Sequence, residues 1–580
     1  MIPRVVVAIL AVCAFSLSAM AGSNVKQKLA EVRLPDEHSI VPGGRTQGSP
    51  LPELSFQRPA SGTYTGLSGY FDFQVNAGAC QYIRLDQSDP TGRKIHVIFM
   101  TASDSANPTG PTRRTNYAYS SDGGATWETF GGVEVPQGRR SGYPSLDMLQ
   151  GTIAGTIVAN HNVVTTDLVS VVYVDSPPGT GAFSELAAPP SLSPGDEPIW
   201  PFVAGASDGS IVMSASRSIA STSHYTRTTD FTTWAPWGAT VPAASAGLPT
   251  KANGAGRVAI LINPSFGAVD DGLYYLESTD NGATWPAQGT RFMVEGRVVG
   301  PDTFYHTLGS DCVYMGNNLL VAFAEYNGGV NAPTDSAQIS FWSQATGIVV
   351  AATKTNTPDV APFENRATFN TITMDMPSIG VSGNTIVIAY HAMINNDTSA
   401  NGYNCSDIFM VHSTNGGVSW STPRRITNTR GVDERFVSVA PWNEPGFVNL
   451  VWQEDPEAGG HIIGDPGAIP RRTRQVFLKT SIVTDVPLGD ALPSEFRLEQ
   501  NYPNPFNPAT KIRYSVPVGT DVTLKVYNTL GQEVATLVND YRPAGTYEAE
   551  FFASDLSSGV YIYKMTAGRY VGVKKATVIK

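Results

Sequence analysis

The chain has 580 residues, of which 15% are charged and 10% aromatic, with 56 glycines and 41 prolines. That length exceeds one small core and that composition suits many short strands joined by turns, so an all-β protein of two or more domains is expected. A formal charge of −11 without a basic cluster argues against phosphate backbones and anionic membranes as partners.

The start reads as a targeting segment. Met1-Ile2-Pro3-Arg4, the apolar run Val5 to Leu17 and Ala19-Met20-Ala21 before Gly22 form a signal peptide over residues 1–21. The run is too short to span a bilayer comfortably, so the expectation is an exported protein with no transmembrane segment after cleavage. Cys80, Cys312 and Cys405 remain, enough for one internal disulfide at most. Their spacing fits no zinc pattern; no metal and no cofactor are expected. Residues 22–65 are polar and rich in Pro, Gly and Ser, and read as an irregular extension.

From residue 66 the pattern changes to recurring apolar runs: Ile95–Met100, Thr156–Asn160, Ile211–Ala215, Val258–Ile262, Leu319–Ala324, Thr385–Tyr390 and Val448–Trp452. Their starts lie roughly 50 to 65 residues apart, the length of a four-stranded propeller blade. A short strand and a Gly- or Asn-containing turn precede each, as in Pro377-Ser378-Ile379 before Gly380–Asn384. The preceding strand is therefore read as innermost and the apolar run as second. Leu67–Val75 is expected to close the ring, leaving no bare edge. This predicts a β-propeller over 66–485 with seven blades, six being the alternative.

One stretch repeats. Ser120-Ser121-Asp122-Gly123-Gly124-Ala125-Thr126-Trp127 returns as Ser278-Thr279-Asp280-Asn281-Gly282-Ala283-Thr284-Trp285 and as Ser413-Thr414-Asn415-Gly416-Gly417-Val418-Ser419-Trp420. A shorter relative is Thr228-Thr229-Asp230-Phe231-Thr232-Thr233-Trp234. An Asx side chain caps the backbone N–H groups that follow it, glycine takes positive φ and the hydroxyls add local bonds. This S-x-D-x-G-x-T-W pattern resembles the Asp-box (BNR repeat) of sialidases and many other β-propellers. The resemblance implies a turn between third and fourth strands, with Trp127, Trp234, Trp285 and Trp420 packing on the neighbouring blade; it identifies fold better than function.

After about Val486 the sequence becomes a different domain. Val522–Tyr527 and Val560–Lys564 alternate as sandwich strands with one buried face. The string Phe496-Arg497-Leu498-Glu499-Gln500-Asn501-Tyr502-Pro503-Asn504-Pro505-Phe506-Asn507-Pro508, with Leu530-Gly531-Gln532-Glu533-Val534 and Ser558-Gly559-Val560-Tyr561 further on, strongly resembles the type A C-terminal sorting domain of the type IX secretion system. That implies an immunoglobulin-like β-sandwich over 486–580, a passage partner in the secretion machinery, and a protein released from, or attached to, the outer surface after crossing the periplasm.

In a propeller, second-to-third loops and the entries to innermost strands share one face. The second strands end at Asp104, His161, Arg217, Glu325 with Tyr326, His391 and Glu454, and the innermost strands are entered through Arg139, Arg140 and Tyr143, through Trp200, His306 and Asp375, and through Arg435. Such a polar and aromatic ring suits a carbohydrate, with aromatics for sugar faces and carboxylates for hydroxyls. Sialidases combine an arginine triad, a tyrosine nucleophile activated by glutamate and an aspartate acid/base, with an F/Y-R-I-P motif before the first Asp-box. That motif is absent; Tyr82-Ile83-Arg84-Leu85 lacks the proline. Sialidase activity is discounted, while a two-carboxylate glycosidase stays open, with Glu325, Tyr326, Glu454 and Asp104 as candidate catalytic residues. The leading expectation is a glycan-binding propeller. The alternatives are an exo-acting glycoside hydrolase of sialidase-like fold and a structural or adhesive surface protein.

Overall fold

The computed structural model describes residues 62–579 except 76–77, 90, 129–131, 165–166, 218, 241–247, 265–271, 328–336, 362–371, 463, 466, 483–495, 518–519, 543–544, 554–555 and 569. The expected signal peptide 1–21 and nearly all of the extension 22–65 lie outside the described residues. The chain divides into two compact units, Met1–Val483 and Thr484–Lys580. All of the regular elements described in them are β-strands.

The first unit is a β-propeller, and its described residues form seven sheets of four or five strands each. Five of the seven apolar runs lie in the second strand of a four-stranded sheet, from Ile95–Ala102 in the first to Phe447–Asp455 in the seventh; in the five-stranded fifth and sixth sheets an added edge strand makes Asn318–Asn327 and Thr385–Thr398 the middle strands. These strands are buried along nearly their whole length because each sheet is covered on both faces by its neighbours; Val258–Ile262 is buried at all five positions. They therefore read as continuous apolar runs.

The seventh sheet is closed by the chain's first described strand. Thr63–Gly69 pairs antiparallel with Thr473–Ser481, which lies beside Phe447–Asp455, and that strand in turn pairs with Asp433–Val439. The closing strand thus ends earlier than the expected Leu67–Val75. The reason is local: an added Cβ on Gly69 would lie 2.6 Å from Ala102 N, and Tyr70 N donates to Ala102 O at 2.8 Å. There the chain leaves the sheet and turns inward.

That inward segment fills the axis. Phe71, Phe73 and Tyr82 share one buried cluster with Tyr143, Trp200, Met376 and Phe436, which come from the inner strands of the second, third, sixth and seventh sheets. Gln81 Nε2 donates to Leu146 O (3.1 Å) and Val203 O (2.8 Å), Ser310 N donates to Gly78 O, and Tyr82 N donates to Ser438 Oγ. Only a segment on the axis reaches so many inner strands. The four inner-strand residues Tyr143, Trp200, Met376 and Phe436 all adopt positive φ, from 48° to 58°, and each sits at a register shift in its sheet. That kink turns their side chains toward the axis.

The repeated turns lie between third and fourth strands. Asp122 accepts from Thr126 N and Thr126 Oγ1, Asp280 from Thr284 N and Thr284 Oγ1, and Asn415 accepts from Ser419 N while its Nδ2 donates to Ser419 Oγ. In the shorter copy Asp230 accepts from Thr232 N, Thr233 N and Thr233 Oγ1. Each tryptophan meets the preceding sheet: Trp127 on Phe477, Trp285 on Tyr225 and Trp420 on Phe341, at centroid distances of 5.6, 4.9 and 5.2 Å. Trp234 Nε1 donates to Ala187 O. In the second sheet Asp175 does the same work without the motif, accepting from Gly179 N and Gly181 N with its Oδ2 and from Ala182 N with its Oδ1.

The second unit is a sandwich of two antiparallel sheets. One holds Arg497–Leu498, Ala509–Val516 and Gly545–Phe552; the other holds Glu533–Arg542, Thr520–Tyr527, Gly559–Ala567 and Tyr570–Val578. Val522, Leu524 and Val526, with Tyr563 and Met565 of the same sheet, share one core with Ile512 and Tyr514 of the other.

Candidate functional site

Two strands in the fifth and sixth sheets are longer than the rest. Asp302–Met315 and Thr385–Thr398 each span 14 residues, and the hairpin Arg297–Val299 adds a strand beside the start of the first. On this extended side the inner strand of the fifth sheet shifts register between His306 and Ser310, and a chain of polar groups crosses to the sixth sheet.

Glu295 begins the chain. Its carboxylate lies 3.3 Å from His306 Nε2 and accepts from His306 N at 3.4 Å. His306 Nδ1 lies 3.1 Å from Thr307 O, an atom that only accepts. Thr307 Oγ1 donates at 2.8 Å to Asp375 Oδ1, which also accepts from Met376 N at 2.7 Å. Both ring nitrogens of His306 thus face acceptors, which favours a proton on each. Burial acts against this, pushing the imidazole down to about 4. Burial also pushes the Asp375 carboxyl up to about 6, against the hydrogen bonds from Met376 and Thr307.

Tyr305 and Tyr326 stack beside this chain, with centroids 5.5 Å apart and planes at 26°. The Tyr326 hydroxyl is buried and has no hydrogen-bond partner among the described residues. Burial raises its pKa, and the nearby Glu295 charge raises it further.

Glu325 and Tyr326 lie on opposite faces of their strand. Successive strand residues point to opposite faces: Tyr326 packs with Ile372 and Met374 of the sixth sheet, while Phe323, two residues from Glu325 and so on its face, packs with Leu261 of the fourth. Glu325 is fully buried and engaged by Arg297 at 2.8 and 2.9 Å and by Gln338 at 3.0 Å. Glu454 accepts from Tyr64 Oη at 3.0 Å and from Arg474 Nε at 3.2 Å, in the seventh sheet. Asp104 is half-buried and caps Ala106 N in a loop of the first sheet. These four candidates lie in three sheets, each with its own surroundings.

The remaining candidates fall into two axial groups and a set of dispersed arginines. His161 lies 3.1 Å from Arg113 Nη2 and 5.3 Å from the Tyr143 ring, and Trp200 N donates to its Nδ1. Arg113 also lies over Phe71. Arg435 pairs with Asp433 at 2.7 Å, donates to Gly459 O and lies over Phe436, whose ring is 6.5 Å from His391. His391 stands opposite Asp375 in register. Arg139 contacts Glu185 and the Tyr173 hydroxyl, Arg140 donates to Thr109 O, and Arg217 pairs with Asp196 at 3.0 Å. Sequence reasoning missed Glu295, Thr307, Arg113 and Phe73. Glu295 sits in the turn between Thr290–Val294 of the fourth sheet and Arg297–Val299 of the fifth, so the spacing of the apolar runs gave no signal for it.

No disulfide joins the three buried cysteines. Among the described residues no group of three or more His, Cys, Asp or Glu is placed to hold a metal ion, and no helix is long and apolar enough to cross a membrane.

Solved structures similar to this chain include an α-L-arabinofuranosidase from Fusarium graminearum, at 13% identity and a TM-score of 0.33, covering 60% of this chain and 98% of that one. Another is an α-L-arabinofuranosidase from Lactobacillus brevis, at 13% identity and 0.28, covering 48% and 89%. A third is an exo-β-1,3-galactanase from Phanerochaete chrysosporium, at 8% and 0.28, covering 89% and 99%. Likenesses this low carry no argument about chemistry. No curated protein matches the chain. Residues 500–580 match the family model of the secretion system C-terminal sorting domain, and the protein is accordingly secreted or attached at the outer surface.

Proposed function

We propose that the first unit is a seven-bladed Asp-box propeller that binds extracellular glycans beside the extended strands of the fifth and sixth sheets. On this reading the signal peptide 1–21 directs export to the periplasm, and the domain from about 486 engages the type IX secretion machinery. The observation that carries the reading is the Tyr326 hydroxyl, buried without a hydrogen-bond partner among the described residues beside a stacked tyrosine and the Glu295 carboxylate. A buried polar group in that state is costly unless something meets it, and a sugar hydroxyl is a suitable donor and acceptor. The axial plug of Phe71, Phe73 and Tyr82 favours a ligand that lies across the face over one that threads the channel.

A second reading, glycoside hydrolysis, is favoured by one feature: Asp375, pushed up to about 6, stays protonated to a higher pH than an ordinary carboxyl, as suits a general acid working in mildly acidic conditions. The Glu295 carboxylate, 3.3 Å from His306 Nε2 in the chain of groups that reaches Asp375 through Thr307, is the candidate base. The full chain is to be screened on a glycan array and against aryl glycosides, beside Tyr326→Phe and Asp375→Asn. Binding weakened by Tyr326→Phe without turnover supports the lectin-like reading. Turnover lost in Asp375→Asn with binding retained moves hydrolysis ahead. Binding and turnover unaffected by both substitutions would remove the site from consideration.

A further inference from the structure

The turn that carries Glu295 is held only weakly by burial. It joins Thr290–Val294 of the fourth sheet to Arg297–Val299, a strand of three residues beside the inner strand of the fifth. Val298 and Val299 are 70% and 47% exposed, so little apolar surface fixes their place. A ladder that short is marginal by itself. Specific contacts must seat the turn on its sheet.

Three consecutive residues of the turn make such contacts. Glu295 reaches His306 Nε2 at 3.3 Å. Gly296, at φ +70°, lies against the Tyr305 ring, where an added Cβ would come within 3.6 Å of Cε1. Arg297 lies over Phe304, 5.3 Å from its centroid, and donates to Glu325: Nη2 to both carboxylate oxygens, at 2.8 and 2.9 Å, and Nε to Oε1 at 3.3 Å. Only the last of these ends on an anchor that is itself fixed. Glu325 is fully buried and stands in register between His306 and Gln338. It also accepts from Gln338 Nε2 at 3.0 Å and from the Ser340 hydroxyl, both on the next strand. Its oxygens are thereby aimed at one guanidinium. A charge-assisted contact of this kind is stronger and more directional than a neutral one, so the place of Arg297 is set from within the sheet. The place of Glu295, two residues earlier, follows from it.

We propose that Glu325 is a positioning residue, which acts through Arg297 to set the Glu295 carboxylate against His306. This role rests on the reading of that site as the glycan site, but the contact it fixes needs no ligand to be measured. It differs from the catalytic role that the sequence suggested for Glu325: the carboxylate is taken up by Arg297, Gln338 and Ser340, and reaches the site only through the turn. A pair that merely held the fifth sheet together would have no bearing on how His306 meets Glu295.

The test reads the ring nitrogens of His306 by NMR of the full chain labelled at histidine, the resonance being assigned by its loss in His306→Gln. Arg297→Met combined with Glu325→Gln removes both charges, so neither is left buried alone. This double variant is expected to move the His306 nitrogen shifts in the direction and by the amount that Glu295→Gln does, and to move them no further once Glu295→Gln is also present. Shifts that the double variant leaves unmoved, or moves equally with and without Glu295, overturn the proposal and make the pair structural only. Should the double variant not fold, Arg297→Lys, which keeps the charge but not the planar fork, goes through the same cycle. Glycan binding is measured on the same variants. A coupled His306 response with weakened binding supports both readings, whereas a coupled response with binding unchanged keeps Glu325 as the positioner of Glu295 and removes the glycan reading of the site.

Discussion

The repeated turns bond within eight residues, whereas the axial layer bonds across the whole chain. Ser120, Asp122 and Thr126 satisfy one another inside one stretch. At the axis, Asp72 accepts from His461 N, 389 positions away, and Ser438 Oγ donates to Cys80 O, 358 positions away. The turns are therefore modular units repeated from sheet to sheet, while the axis is a single object that exists only when the ring has closed. Loss at the axis is felt by every sheet; loss in a turn is felt by two.

The largest expected effect breaks the axis. Phe73→Ala removes a ring packed edge-on against Tyr143 and Phe436, and is expected to cost about 3–5 kcal/mol, as buried aromatic truncations do. Urea unfolding of the full chain, following the transition of the propeller, measures it. A loss as small as that of a turn variant would mean the axis is not the shared element argued above.

Next is the pH dependence of Asp375. Its folded pKa, about 6, lies above its unfolded value of 3.8. For an acid shifted this way the favourable contribution is complete below the unfolded value and lost as pH rises through the folded one. Asp375→Asn is thus expected to unfold at higher urea than the parent above pH 6 and to match it below pH 4, with a difference of at most about 3 kcal/mol. A parallel pH dependence in the two proteins would show that Asp375 is solvated.

Within the turns, Gly282 and Gly123 provide a matched pair. Both have positive φ, +78° and +82°, but a Cβ on Gly282 would lie 2.5 Å from Val212 Cγ2 on the neighbouring sheet, and one on Gly123 meets nothing within 4 Å. Gly123→Ala is expected to cost only the backbone strain, about 1–2 kcal/mol, and Gly282→Ala more. Equal thermal midpoints for the two would show that the turn does not press on its neighbour.

The smallest effect is acid sensitivity of the turns. Asp122 and Asp280 are held down to about 2, first by the threonine hydroxyl of their own turn. A depressed carboxyl contributes stability above its unfolded pKa and loses it as pH falls through the folded one, here between about pH 4 and 2. Asp122→Asn with Asp280→Asn is expected to flatten that part of the stability profile; an unchanged slope would assign acid unfolding to other carboxylates.

Much of the architecture was legible in the chain itself. The second strands stood out because burial on both faces makes a strand apolar throughout, and the turns stood out because their bonding partners are near in sequence. The type of residue at Asp122 or Trp285 is fixed by local geometry, so it repeats. Blade two shows the limit: Asp175 caps its turn by reaching Gly179 and Ala182, a different spacing that pattern matching passed over.

The candidate site was legible only in parts. His306, Asp375 and Tyr326 were singled out because strand ends on one face are countable. Their grouping was not, because Glu325 and Tyr326 are adjacent in the chain yet face different sheets, while Glu295, in the turn that joins the fourth sheet to the fifth, is the carboxylate that reaches His306. By itself the sequence determined the strand-and-turn repeat, the domain change near 486 and the export tail, since each is a short-range pattern. Tertiary structure alone decided which polar side chains meet and that Phe71 and Phe73 plug the axis, because those depend on how seven sheets converge on one line.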